Sequence, residues 1–216
     1  MGRNGAEIFL YVPNLIGYAR VVLLGAFYLL ALEHWVSAVT CYLASFAGDL
    51  FDGYFAKKLQ QRSTLGMVLD MVTDRVATAG FLSILGILYP HRAPIFISLQ
   101  GLDLASHWYH MYSTASAGGH HKSDETLHKR NFVLRVYYAS YPLFAYLCVS
   151  AELAYVALYV LYFWPTAAFA GVTLEAVYLV ALLPGCIVKQ IVNLAQLASA
   201  ANALVLRDVA TPVKST

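Results

Sequence analysis

The chain of 216 residues is strongly apolar: 60% of its residues are hydrophobic and only 12% are charged, and its mean hydropathy is +0.62. A soluble domain of this size cannot bury so much apolar surface, and soluble chains carry about a quarter charged residues. The composition therefore excludes an ordinary soluble protein and indicates a protein embedded in lipid. A formal net charge of only +2 gives no basis for a nucleic-acid partner.

The apolar segments, taken in chain order, predict an all-α membrane protein. About 20 residues are needed to cross a bilayer, and a helix closes all of its backbone hydrogen bonds in lipid. An amphipathic lead-in at residues 7–11 predicts an N-terminal interfacial helix. Six transmembrane helices are predicted, at residues 15–32, 35–56, 66–89, 93–112, 133–163 and 172–201. The chain shows no internal repeat, so we expect residues 1–216 to form a single domain.

The distribution of basic residues predicts the orientation of these helices. Nearly all Lys and Arg fall on the side of the N-terminus, in the link at residues 57–65, the polar loop at residues 112–131 and the C-terminal segment. The opposite side receives only Arg92. Because cytoplasmic loops are enriched in Lys and Arg, we expect both termini to be cytoplasmic.

Four aspartates are placed within or beside the second and third predicted helices. A charged group in mid-membrane costs about 2.5–3.5 kcal/mol, so a structural role alone explains them poorly. Asp49 and Asp52 are three residues apart, and Asp70 and Asp74 are four apart, so each pair shares one helix face. The short link at residues 57–65 makes the two helices adjacent and antiparallel. We therefore predict that all four carboxylates converge at one depth.

Such a cluster suits hard, oxygen-seeking cations. No Cys or His ligand pair lies nearby in the sequence, so Mg²⁺ or Mn²⁺ is expected. Two divalent ions would neutralise four carboxylates, and a pair about 3.5–4 Å apart can clamp a transferring phosphoryl group. Gly53 and Gly66 would let a substrate approach the backbone, and Lys57 adds positive charge at the rim.

The same residues carry a resemblance to a known family. Asp49, Asp52, Gly53, Ala56 and Lys57, followed after eight residues by Gly66 and then by Asp70 and Asp74, resemble the CDP-alcohol phosphotransferase signature. Seven of its eight fixed positions are present, and the departure is Lys57 where the family has Arg. Lys keeps the charge but loses the bidentate fork of Arg. Further segments, at residues 8–20, 67–75, 102–108 and 133–138, are similar to the eukaryotic members that use inositol.

The resemblance implies a reaction and roles for individual residues. Its members displace CMP from a CDP-linked lipid with an alcohol, here the transfer of the phosphatidyl group from CDP-diacylglycerol to myo-inositol, giving phosphatidylinositol. By position, Asp49, Asp52 and Asp70 would hold one metal, and Asp49, Asp70 and Asp74 the other. Asp74 would also be the general base. The expected CDP-diacylglycerol contacts are Gly53, Lys57, Ser63, Ala56, Gly66 and Asn14. The resemblance further implies a homodimer in the endoplasmic-reticulum membrane with its active site facing the cytoplasm.

Residues outside the signature have two interpretations each. Asn14 and Arg20 lie near the cytoplasmic start of the first predicted span and could reach the nucleotide; the alternative is a helix cap and an Arg that extends to the interface. Asp103 and His107, four apart on the fourth span, could bind inositol hydroxyls or form a satisfied buried pair. Arg135 could contact phosphate or inositol, or anchor to lipid headgroups.

Two alternative functions remain at this point. The first keeps the chemistry and changes the acceptor alcohol to glycerol phosphate, serine or choline. The second is a divalent-cation transporter that uses the aspartates as a permeation site. A transporter predicts acidic residues along a path through the bilayer, whereas these aspartates cluster on one side.

Overall fold

The computed structural model describes residues 5–116 and 131–210 of the chain. The fold is mostly helical, and its contacts divide it into two compact units, Met1–Ala93 and Pro94–Thr216. The all-α membrane class predicted from the sequence is therefore confirmed in its general form. The central part of the polar loop predicted at residues 112–131, with its histidines, lies outside the described residues, as do both ends of the chain.

The first unit contains the predicted interfacial helix and the first three long helices. These elements are α1 (Gly5–Phe9), α2 (Val12–Leu30), α3 (Trp35–Lys58), α4 (Thr64–Leu88) and a 3₁₀ turn (Pro90–Arg92). Helix α2 packs against both α3 and α4. Pro13 is the second residue of α2, in the first turn, where a missing N–H costs nothing. The Ser63 hydroxyl caps α4 by accepting a hydrogen bond from the Gly66 N–H at 3.0 Å.

A buried aromatic cluster joins the three long helices of the first unit. Phe27 of α2, Tyr42 of α3 and Phe81 of α4 are all at most 2% exposed. The ring centroids of Phe27 and Phe81 are 4.9 Å apart, and those of Tyr42 and Phe81 are 4.5 Å apart. The cluster fixes α3 and α4 against the same helix, which positions the residues that these two helices carry.

The second unit holds the remaining described elements. They are α5 (Ala93–Ser116, which begins at the boundary), α6 (Phe132–Ala139), α7 (Tyr141–Phe163), β1 (Ala168–Phe169), β2 (Val172–Thr173), α8 (Leu174–Val177), a π-helical segment (Tyr178–Leu182) and α9 (Leu183–Ala210). Its core includes Leu134, Tyr137, Leu147 and Val192. The Tyr146 hydroxyl donates to the Ala181 carbonyl at 2.6 Å and so satisfies a backbone acceptor of the π-helical segment.

Two sequence-based boundaries are wrong. The fifth predicted helix, residues 133–163, is broken at Ser140, because Pro142 in the first turn of α7 has no N–H to continue a helix from α6. The sixth, residues 172–201, begins instead as a β-hairpin in which Phe169 pairs with Val172. Its two-residue loop, Ala170 and Gly171, has φ values of 49° and 82°, as a type I′ turn requires.

Helix length and composition bear on the number of membrane spans. Within the described residues, four segments are long and apolar enough to cross a bilayer: Val12–Leu30, Thr64–Leu88, Tyr141–Phe163 and Leu174–Val209. Helices α3 and α5 have sufficient length but do not meet the same criterion of composition. The polar residues of α3 include Asp49 and Asp52, so the feature that marks the site also weakens the hydropathy signal. Six spans stay a prediction.

Candidate active site

The four signature aspartates meet around one arginine. Arg20 projects from α2 between α3 and α4, and its side chain is 3% exposed. Its guanidinium contacts all four carboxylates, with Nη1 to Asp52 Oδ2 at 2.6 Å, Nη1 to Asp70 Oδ1 at 2.8 Å, Nη2 to Asp74 Oδ1 at 2.5 Å and Nη2 to Asp49 Oδ1 at 2.9 Å. The carboxylates of α3 and α4 thus converge, as their spacing in the sequence predicts.

A glycine on α3 makes room for this arrangement. A Cβ atom at Gly48 would lie 2.8 Å from Cγ of Arg20, so the stem of the arginine passes directly against the α3 backbone. The Ser45 hydroxyl, one turn earlier on α3, donates to the Arg20 carbonyl at 3.3 Å. Small residues on α3 therefore let α2 approach closely enough for its guanidinium to reach both acidic pairs.

The donor set fits divalent cations. Carboxylate oxygens of Asp49, Asp70 and Asp74 all lie within 4.8 Å of one another. The side chains of Asp49, Asp70 and Asp74 are 33%, 46% and 34% exposed, whereas that of Asp52 is 10% exposed. Partly open, oxygen-only ligands are what Mg²⁺ and Mn²⁺ prefer. Asp52 adjoins this group of three through the Nη1 atom that it shares with Asp70.

A partly open cavity of about 880 Å³ adjoins the carboxylates. This volume is within the ~300–1,000 Å³ range of small-molecule sites. Its lining includes Asp52 and Asp70. It also includes every residue expected to contact CDP-diacylglycerol: Asn14, Gly53, Ala56, Lys57, Ser63 and Gly66. The structure therefore brings these residues together beside the acidic cluster; their contact with a nucleotide stays a prediction.

The two signature glycines have different surroundings. A Cβ atom at Gly53 would meet nothing within 4 Å, so the backbone there faces open space. A Cβ atom at Gly66 would lie 2.7 Å from Asn14 Oδ1 and 3.2 Å from Ser63 Oγ. Gly66 thus accommodates the Asn14 side chain, in addition to any approach by a substrate.

Asn14 does not cap a helix, so that alternative is wrong for it. It lies inside α2, fully buried, and its Nδ2 donates to the Ile8 carbonyl at 2.5 Å, which ties α1 to α2. Its Oδ1 is buried with no hydrogen-bond partner among the described residues. A buried acceptor is costly when unpaired, and this one lines the cavity.

Arg20 is the residue that sequence reasoning placed least well. The alternative of an arginine reaching the interface is wrong, because its charged group is buried among carboxylates. A signal was available: four acids at one depth require a nearby cation, and Arg20 is a basic residue within the first apolar segment. A second omission is Gln61, whose Oε1 accepts from the Val12 N–H at 2.9 Å and which also lines the cavity.

The residues expected to bind inositol lie in the second unit. On α5, His107 Nδ1 is 3.5 Å from Asp103 Oδ1 and 2.8 Å from the Asp103 carbonyl oxygen. The two side chains thus contact each other, but only Asp103 is buried; the His107 side chain is 23% exposed, so a ligand can still reach it. Arg135, on α6, is exposed, and its guanidinium lies over the Phe132 ring, 5.5 Å from the centroid.

These features define a class: a helical membrane protein whose first unit gathers four aspartates next to a small-molecule cavity. The family model of the CDP-alcohol phosphatidyltransferases matches residues 10–205, and the chain belongs to that family.

Curated relatives match over almost the whole chain. A CDP-diacylglycerol–inositol 3-phosphatidyltransferase of Schizosaccharomyces pombe is 40% identical, covering 97% of this chain and 96% of its own length. Proteins of the same name are 41% identical in Candida albicans, over 94% of this chain and 85% of theirs, and 37% identical in Homo sapiens, over 96% and 97%. No solved structure matches the chain.

Proposed function

We propose that this protein transfers the phosphatidyl group of CDP-diacylglycerol to myo-inositol, giving phosphatidylinositol and CMP. The observation that carries the proposal is the convergence of Asp49, Asp52, Asp70 and Asp74 beside a nucleotide-sized cavity, in a chain of this family. The acceptor follows from the relatives, which carry the name of inositol phosphatidyltransferases in fungi, plants and mammals. Membership of this family also favours an enzyme over a cation transporter.

The four aspartates are the proposed ligands of two divalent cations, Mg²⁺ or Mn²⁺. Asp49 and Asp70 would contribute to both ions, Asp52 to one and Asp74 to the other. When bound, such ions offset the negative charge that develops on the diphosphate as CMP leaves. Support comes from the oxygens of Asp49, Asp70 and Asp74, which are close enough to share a cation.

Asp74 is the proposed general base. A hydroxyl becomes an effective nucleophile when a carboxylate accepts its proton in the transition state. The Asp74 side chain is 34% exposed, so an alcohol can reach it. Its carboxylate lies beside those of Asp49 and Asp70, so a hydroxyl that approaches the proposed ions also approaches Asp74.

The cavity is the proposed site of the CDP moiety. Lys57 at its edge supplies positive charge for the diphosphate, and the exposed backbone at Gly53 allows close approach. The unpaired Oδ1 of Asn14 offers an acceptor to an amino group of the base. Ala56, Ser63 and Gly66 complete the lining on the same side.

Inositol contacts are proposed at Asp103, His107 and Arg135. The pair on α5 offers carboxylate and imidazole groups, with Ser106 beside them at 3.2 Å from His107 Nδ1. Groups of this kind recognise a polyhydroxylated ring through hydrogen bonds.

The cellular setting is likewise a proposal. We place the protein in the endoplasmic-reticulum membrane as a homodimer, with both termini and the active site on the cytoplasmic side. The one-sided distribution of Lys and Arg supports the orientation. A family match that extends from residue 10 to residue 205 across both units supports a single functional domain.

The proposal is tested by offering purified protein CDP-diacylglycerol, Mg²⁺ or Mn²⁺, and a panel of alcohols: myo-inositol, glycerol phosphate, serine and choline. CMP release with inositol, and its loss in EDTA, are the expected results. Release with another alcohol but not with inositol would overturn the acceptor. No release with any alcohol would overturn the reaction.

A further inference from the structure

The guanidinium of Arg20 and the proposed cations require the same carboxylates. We propose that Arg20 is a resident counter-cation, which holds the four aspartates together in metal-free protein and which must withdraw before divalent ions bind. Arg20 and the metal ions are thus alternative occupants of one acidic space. This inference rests on the metal centre of the proposed function and adds a competing state to it.

Each of the two terminal nitrogens of Arg20 contacts one pair of carboxylates. Nη1 lies between Asp52 and Asp70, at 2.6 and 2.8 Å from their oxygens, and Nη2 lies between Asp49 and Asp74, at 2.9 and 2.5 Å. A cation shared by two carboxylates lies about 2.0–2.1 Å from an oxygen of each. A cation shared by Asp52 and Asp70, or by Asp49 and Asp74, would need oxygens that a guanidinium nitrogen already contacts. Each nitrogen therefore competes with one shared ion for the same pair of carboxylates.

Arg20 and the divalent ions differ in how much of the negative charge of the four aspartates they neutralise. Four ionised aspartates and one guanidinium leave the cluster with a formal charge of minus three. Two divalent ions neutralise the four carboxylates fully, whereas Arg20 does so only in part. A doubly charged ion and a guanidinium repel each other when both are close to the same oxygens. Binding of the ions therefore favours withdrawal of Arg20.

Arg20 also has an unused hydrogen-bonding group and a place to move. Its Nε is buried and has no hydrogen-bond acceptor among the residues described. Its stem is confined by Gly48, so movement of the head group requires rotation of the terminal torsions. Gly17, one helical turn before Arg20, lines the cavity, so open space lies within one turn of the arginine for the displaced guanidinium.

The test compares Arg20→Met with a matched control, Arg75→Met. Arg75 Nη2 lies 3.8 Å from Asp74 Oδ2, so the control removes an equal charge at the edge of the same cluster. The full chain is purified in detergent. The Mn²⁺ dissociation constant is measured by the electron paramagnetic resonance signal of free Mn²⁺. Melting temperatures are measured in EDTA and in Mn²⁺.

Arg20→Met is expected to bind Mn²⁺ about tenfold more tightly than wild type, as follows when a dominant competing state is removed. Arg75→Met is expected to change affinity by no more than about twofold, since Arg75 Nη2 is 3.8 Å from the nearest Asp74 oxygen, farther than any of the Arg20 contacts. Arg20→Met should also have a lower melting temperature than wild type in EDTA, and Mn²⁺ should raise its melting temperature by more than it raises that of wild type.

Other outcomes would overturn the inference. Affinity of Arg20→Met equal to or weaker than that of Arg75→Met would show that Arg20 supports the metal site. A purely structural role would lower both melting temperatures alike. If Arg20→Met cannot be purified, Arg20→Lys tests the inference instead. The single nitrogen of Lys cannot bridge both pairs of aspartates, so Arg20→Lys must bind Mn²⁺ more tightly than wild type does. Wild-type protein that binds no Mn²⁺ would instead overturn the proposed metal centre.

Discussion

Asp74 differs from the other three aspartates in its neighbours. Its Oδ1 contacts Arg20, and its Oδ2 faces Arg75 at 3.8 Å, so cations lie near both oxygens. A carboxylate accepts a proton only in its ionised form, and divalent ions held beside Asp74 would favour that form.

Asp74→Asn is therefore expected to lower turnover by roughly a hundredfold to ten-thousandfold, the usual contribution of a general base. Metal binding should be partly retained, because Asp49, Asp52 and Asp70 are still present. CMP release and Mn²⁺ affinity measure the two effects. The control is Asp208→Asn, the same chemical change at an exposed position of α9. Near-normal turnover of Asp74→Asn would remove it as the base.

The two signature glycines allow a matched comparison. In Gly66→Ala the new methyl would lie 2.7 Å from Asn14 Oδ1, so we expect a loss of about 1–3 kcal/mol of stability and a raised KM for CDP-diacylglycerol. In Gly53→Ala the methyl meets no atom within 4 Å, so stability should be unchanged or rise by up to about 1 kcal/mol. Thermal unfolding in detergent separates them, and equal melting temperatures would contradict the packing at Gly66.

Sequence reasoning succeeded at the residues that follow helix periodicity. The spacing within each aspartate pair and the short link between their helices were enough to predict the meeting of Asp49, Asp52, Asp70 and Asp74. It failed for Arg20, because the depth to which a long side chain reaches depends on how closely α2 and α3 approach. Gly48 sets that distance, and the sequence does not specify which glycine faces which neighbour.

At the scale of elements, the contact between α7 and α9 depends on one missing side chain. A Cβ atom at Gly185 would collide with Ser150 Oγ and would lie 2.8 Å from Ser150 Cβ. Ser150 is 2% exposed and lies in the middle of α7. Gly185 therefore permits a close crossing of two long helices, as small residues commonly do in membranes.

Gly185→Ala is expected to lower stability by about 1–3 kcal/mol through overpacking. Adding Ser150→Ala removes the closest atom and should recover part of that loss. Gly101→Ala, on α5, where nothing lies within 4 Å, is the control and should not lower stability. Chemical unfolding of Gly185→Ala, Ser150→Ala, the double variant and the Gly101→Ala control measures the coupling free energy between residues 185 and 150. Additive effects of Gly185→Ala and Ser150→Ala would contradict a direct contact.

Element boundaries were predictable where composition changes sharply and not where a single residue intervenes. Helix α3 begins at Trp35, as expected, because it follows the polar residues Glu33 and His34. The break at Ser140 lies inside the predicted span 133–163, and the second hairpin strand, Val172–Thr173, falls at the start of the predicted span 172–201. Hydropathy does not report the effect of Pro142 on the helix or the positive φ of Gly171. The residue types Pro and Gly were the signal in the sequence that could have predicted the break and the turn.

At the scale of the whole molecule, orientation gives a direct test. Cys introduced at Lys58 should react with a membrane-impermeant maleimide in sealed microsomes whose outer face is cytoplasmic. Cys at His91 should react only after permeabilisation. Both positions are exposed in the protein. The unsubstituted chain, with Cys41, Cys148 and Cys186, gives the background. Labelling at 91 but not at 58 in sealed vesicles would reverse the predicted orientation.

The bridge from Arg20 to two later helices has a consequence for biosynthesis. A ribosome completes α2 before it makes α3 or α4, so the guanidinium enters the insertion machinery before any of its acidic neighbours exists. A lone charge in a bilayer costs up to about 2.5–3.5 kcal/mol, the value at the centre of a spanning helix, and this holds for the arginine and for each aspartate. The nascent segments are therefore best released into lipid as a group of three. Delayed, cooperative exit from the translocon should be visible as prolonged crosslinking of α2 until α4 has emerged.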